Sequence, residues 1–150
     1  MNIFLDYKTD IALLLARLVL GVLFFMQAYD KIFGLGLKRT EEGAEEALER
    51  TKLPHGLIRF FTALTAFLEL GGGILLIAGL YIYPALTLLS VDLLFVVFAM
   101  SLKEPMWDMR FVWPRLVLLL LLLMAPQQWD RISFDHLLQI YENHPGIING

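Results

Sequence analysis

Cysteine is absent from the chain. That removes thiol–disulfide exchange, thiolate-ligated clusters and cysteine-built zinc sites from consideration. Histidine is scarce: His55, His136 and His144 are the three, and all fall at the ends of apolar stretches or in the tail. A b-type haem in a membrane needs histidines inside the spans, so neither haem nor a metal is expected. No long basic run points to nucleic acid, and the alternating pattern of a barrel strand is missing. The N-terminus has neither a basic lead nor a small-x-small cleavage site, so the first apolar stretch reads as a retained span.

Apolar residues dominate what is present. They make up 58% of 150 residues, and the mean hydropathy is +0.66, well beyond a soluble domain of this size. Four stretches approach the roughly 20 residues a helix needs to cross hydrocarbon: residues 11–29, 57–80, 82–102 and 111–126. Lipid offers the backbone no partner, so each must be a helix. The expected architecture is all-α, a single transmembrane domain over 1–150, an integral four-helix bundle. Residues 38–52 are the one long hydrophilic stretch and read as a short interfacial helix in the first loop. Asp135 is placed to cap a short amphipathic C-terminal helix over about 136–141. Lys31, Lys38, Arg39, Arg50, Lys52 and Arg59 gather on one side with Lys103 and Arg110. The positive-inside rule then puts the basic loops in the cytoplasm of a cell (inner) membrane and both termini outside.

Each apolar stretch holds one charge that cannot easily reach water: Arg17, Glu69, Asp92 and Arg115. A charge at mid-bilayer costs at least about 2.5–3.5 kcal/mol, so it is rarely there without a partner or a purpose. Counted from the tight connection at Leu80-Tyr81, Glu69 and Asp92 lie at one depth, and Arg115 lies there too. Arg17 is slightly nearer the outside, within reach of its long stem. The four are expected to form one mid-membrane layer. Thr62, Thr65, Ala66, Glu69, Gly72 and Gly73 form a small, polar stripe that admits a close neighbour. Arg17, Gly21, Phe24, Ala28 and Lys31 share a face on the first span; Ala85, Leu88, Asp92, Phe95 and Ala99 do so on the third; Asp108, Phe111, Arg115, Leu118 and Leu122 do so on the fourth. Two readings follow. The layer is an ion-pair network that only sets the register of the bundle, or it lines a pocket for a ligand head group or for protons. Lys31, Trp107 and Asp108 join the candidates at the pocket's ends. No catalytic residue is assigned.

The run Arg17-Leu-Val-Leu-Gly21 with Ala28-Tyr-Asp-Lys31-Ile-Phe-Gly34 resembles the first span of the DoxX-like family. Glu69-Leu-Gly-Gly-Gly-Ile-Leu-Leu-Ile-Ala-Gly79-Leu resembles its second-span signature. Ala125-Pro126 and Ser133-Phe-Asp135 resemble its Gly-Pro-Gly and Ser-Leu-Asp tail. Ala28, Ala125 and Gln127 stand where the family usually has glycine, and Asp92 is outside the family pattern. The resemblance implies a four-span membrane protein associated with a redox complex, as in the small subunits of a thiosulfate:quinone oxidoreductase, or an accessory or assembly subunit. Quinone is the expected ligand on the first view. Arg17 and Arg115 then polarise its carbonyls, and Glu69 and Asp92 exchange protons. Membrane lipid and further membrane or peripheral subunits are the expected partners. On the second view the protein is a scaffold, and residues 40–52 and the tail are its contacts.

Overall fold

The computed structural model describes residues 3–49, 53–103, 109–126 and 130–143. Helix α1 spans Ile3–Tyr29 and continues through a π-helical turn, Asp30–Gly34. The others are α2, Leu37–Leu48; α3, His55–Ala78; α4, Ile82–Lys103; α5, Met109–Met124; and α6, Phe134–Asn143. No strand occurs among the described residues. The all-α membrane-like bundle is therefore observed, with the short first-loop helix (α2) and the C-terminal helix (α6).

Among the described residues, three helical stretches are long and apolar enough to cross a membrane: Tyr7–Gly34, His55–Ala78 and Ile82–Ala99. The fourth apolar run, Val112–Met124, is shorter. At 1.5 Å per residue it covers roughly 20 Å, less than a hydrocarbon core of about 30 Å, so the bilayer must thin or the ends must snorkel there. Helices α1, α3, α4 and α5 enclose a core of Leu20, Phe24, Leu76, Leu86, Leu89 and Leu119. The outward faces are apolar as well, with Leu94 and Phe98 of α4 and Val117 of α5 exposed, as lipid requires.

Glycine sets the depth of α1 against α3. A Cβ on Gly73 would stand 2.7 Å from the Phe25 backbone nitrogen and 2.9 Å from the Gly21 carbonyl oxygen. The two backbones therefore touch where the small stripe predicts. Gly72 serves the other flank: a Cβ there would lie 2.7 Å from Leu89 of α4. Helix α3 ends at Gly79, whose left-handed φ of 71° closes the last turn with Leu80 N–H donating to the Leu75 carbonyl at 3.0 Å, the usual use of glycine at a helix end.

The tail differs from expectation in one respect. Asp135 does not cap its own helix. Its carboxylate accepts the Tyr81 and Ile82 backbone N–H groups, both at 2.9 Å, and so caps α4. Ser133 caps α6 instead, its Oγ accepting from His136 N–H at 3.2 Å. The first-loop helix α2, expected within residues 38–52, runs over Leu37–Leu48.

Candidate functional site

The buried charges occupy two levels rather than one. Gly21 rests against Gly73 and Ile77, so Arg17, one turn earlier on α1, comes level with the end of α3. Its guanidinium lies over Gly79, 3.1 Å from where a Cβ would be. Gly79 is ten residues from Glu69, roughly 15 Å along the helix. Arg17 is thus at the rim of the bundle, and the single four-charge layer is corrected accordingly.

At this rim Arg17 is 3% exposed and grips Asp130 with two hydrogen bonds from Nη1, at 2.9 and 3.0 Å. Its Nη2 donates to the Ile132 carbonyl at 2.8 Å. Burial lifts the Asp130 carboxyl above its ordinary range, with the guanidinium pulling the other way. Asp10, also buried, accepts from the Arg131 backbone N–H at 3.3 Å. The rim is a clamp that closes residues 130–135 onto α1 and the α3–α4 connection.

The second level lies at mid-bundle. Lys31 Nζ is 2.6 Å from Oε2 of Glu69, which is 1% exposed. Lys31 continues the inward face of the buried Phe24 and Ala28, and a π-helical turn begins beside it, with Leu35 N–H bonding back to the Asp30 carbonyl at 2.8 Å. Such insertions are frequent at functional sites. The Lys31 carbonyl accepts from Thr40 Oγ1 at 3.0 Å, which ties α2 to the turn.

Antiparallel packing that sets Gly72 against Leu89 brings Glu69 level with Asp92. Asp92 is wholly buried, and neither of its oxygens has a hydrogen-bond partner among the described residues. Arg115 stacks its guanidinium 5.7 Å from the centroid of the buried Phe24 ring and forms no ion pair among the described residues. Three of the four predicted charges therefore share a level, joined by Lys31. Trp107 and Asp108 lie outside the described residues. On α4 the buried face is Ala85, Leu86, Leu89, Asp92 and Leu93, while Leu88 and Phe95, expected on that face, are exposed.

A cavity of about 450 Å³ opens beside the Lys31–Glu69 pair. Lys31, Gln27 and Thr62 give it a polar end; Leu57, Phe61 and Phe95 belong to its apolar wall. Thr40, Ala44 and Leu48 of α2 line it as well. Its volume and mixed lining are those of small-molecule sites. Gln27 was not singled out from the sequence, although it is the one amide within the first span and stands four residues before Lys31. Its Oε1 is buried without a hydrogen-bond partner among the described residues.

Comparison with known proteins agrees with this geometry. The DoxX family model matches residues 12–102, more than half of the chain. The chain belongs to the DoxX family. The matched segment runs from the first turns of α1 nearly to the end of α4. It contains Arg17, Lys31, Glu69 and Asp92, and thus most of both charged levels. No curated protein and no solved structure matches the chain. The DoxX match supports a membrane protein and leaves its reaction to be argued from the site.

Proposed function

We propose that this DoxX-family chain is a membrane subunit of a redox complex, and that it holds a quinone or similar lipid-soluble ligand in the cavity beside Lys31. One observation carries the reading: an apolar cavity of about 450 Å³ that meets a buried, charged level at its polar end. A quinone fits this description, having an apolar tail and ring and two carbonyl acceptors. When bound, it supplies two-electron, two-proton redox chemistry. Lys31 keeps ammonium hydrogens beyond the one given to Glu69, and can donate one to a carbonyl. Gln27 offers an amide on the same face of α1. Glu69, and Asp92 across from it, are the groups that hold or release protons behind Lys31. Arg115 keeps positive charge close to both acids. Arg17, expected to polarise a ligand carbonyl, is committed to Asp130 and has no part in the site. Electrons arrive from another subunit. The basic loops face the cytoplasm and the rim clamp faces outside.

Protein purified in mild detergent should release a quinone into organic solvent. It should also rebind a short-chain quinone saturably, and Ala44→Trp, which fills the cavity, should abolish rebinding. Empty extracts together with non-saturable partitioning contradict the proposal.

A second reading rests on the rim. The Arg17–Asp130 clamp, in which both terminal guanidinium nitrogens are bonded and Nε alone lacks a partner among the described residues, is a network of the kind that holds structure, which favours a scaffold or assembly subunit. The doubly neutral Lys31→Leu/Glu69→Leu protein separates the two. A scaffold keeps working with it, whereas a quinone site loses proton handling.

A further inference from the structure

Helix α6 is amphipathic, and it is turned the opposite way from a helix on a soluble domain. At 100° per residue, Phe134, Leu137, Leu138 and Tyr141 fall on one face. Asp135, His136, Gln139 and Glu142 fall on the other. The polar face looks inward. It lines a hollow of about 330 Å³ against Tyr83 of α4 and the end of α5. The apolar face looks away from the protein, with Phe134, Leu137 and Tyr141 each more than half exposed. Water gives such an arrangement nothing, because the apolar stripe would be buried against the bundle if solvent surrounded it.

The helix is also fixed in place. Asp135 N–H donates to the Gly79 carbonyl at 3.1 Å, and the Asp135 carboxylate accepts from Tyr81 and Ile82 at 2.9 Å. Its first turn is thereby pinned at the rim, level with the Arg17 clamp. There the stripe runs on from the outward apolar surface of α5, where Met124 is 82% exposed.

We propose that α6 is an interfacial membrane helix. It lies in the headgroup region of the outer leaflet, with Phe134, Leu137 and Tyr141 entering the acyl chains and Gln139 and Glu142, with Leu138 at the edge, facing the hollow. The occupant of the apolar face is lipid, because the face continues the lipid-facing belt of the spans. An interfacial helix of this type immerses its apolar side by about 5–10 Å. The hollow beneath it is then a recess of mixed lining, shielded from the acyl chains by the helix itself.

The cysteine-free chain makes the test direct. Single cysteines at Leu137, Tyr141 and Gln139, spin-labelled in the full chain reconstituted in phosphatidylethanolamine–phosphatidylglycerol vesicles, are scanned for collision with oxygen and with a water-soluble nickel chelate. Labels at Leu137 and Tyr141 should favour oxygen over nickel several-fold, and the label at Gln139 should show the reverse. Equal nickel access at all three positions places the helix in water and overturns the proposal. Shielding of Leu137 and Tyr141 from both reagents assigns the face to a protein, a second copy or another chain, and overturns it as well. These side chains are exposed, so labelling leaves the core intact; thermal unfolding of each labelled protein, matched to the unlabelled chain, verifies this.

Discussion

The rim and the mid-bundle level each hold an arginine and buried acid, yet they are finished differently. At the rim, Arg17 has two carboxylate bonds and one carbonyl bond, and nearby acids are bound to backbone N–H groups. At mid-bundle, one pair is made, between Lys31 and Glu69. Asp92 has no hydrogen-bond partner among the described residues, and Arg115 packs on the Phe24 ring and stays near both acids without forming an ion pair there. A satisfied buried network rigidifies, whereas unsatisfied polar groups cost energy that folding alone does not return. The rim is therefore read as structure, and the half-finished level beside the cavity as the working part.

Substitutions can break that contrast. Gly73→Val should do most damage, because its side chain collides with the α1 backbone at Phe25 and Gly21. Loss of folded protein from detergent extracts measures it. Arg17→Leu comes next. It strands Asp130 without its cation and should cost about 3–5 kcal/mol, seen in denaturant unfolding, while quinone binding by the remaining folded protein is unchanged. Asp92→Leu is the counterpart at mid-bundle. Removing an unpartnered buried carboxyl should leave stability within about 1 kcal/mol of the parent or raise it, yet impair proton-coupled function. Asp135→Ala removes a cap from two α4 N–H groups and should cost about 1–2 kcal/mol, read as faster amide exchange at Tyr81 and Ile82.

The smallest effect belongs to pH. Glu45 of α2 is held below its ordinary carboxyl range, first by its hydrogen bond with Arg59, the two atoms being 2.5 Å apart. A lowered folded value means the contribution is complete above the usual carboxylate range and fades as pH falls through the folded value. Helix α2 should thus become more open to protease under acid conditions. Arg59→Gln should flatten that dependence, leaving α2 nearly as open to protease at neutral pH as in acid.

Apolar length and the lone charges made the helices legible in the sequence, and the stripe ending in Gly72-Gly73 made the α1–α3 contact legible. Depth was harder to read. The position of Arg17 depends on the Gly21–Gly73 contact, which fixes α1 against α3 regardless of where the apolar stretch begins. Its partner Asp130 lies more than a hundred residues away, beyond any local periodicity. Lys31 was legible on the inward face from its spacing after Phe24 and Ala28, whereas the π-helical insertion at Asp30–Gly34 leaves no mark in a 3.6-residue pattern. The cavity has walls from four helical segments, so no single stretch announces it. Asp135 was correctly seen as a capping residue, but the helix it caps is remote in sequence.

The most direct test is photolabelling of the reconstituted protein with an azido-quinone, followed by mapping of the modified peptides. The account predicts adducts on the cavity walls, at Leu57, Phe61 or Phe95, displaced by unlabelled quinone and unaffected by Asp130→Asn at the rim. Adducts confined to the α6 hollow, or labelling that excess quinone fails to displace, contradict it.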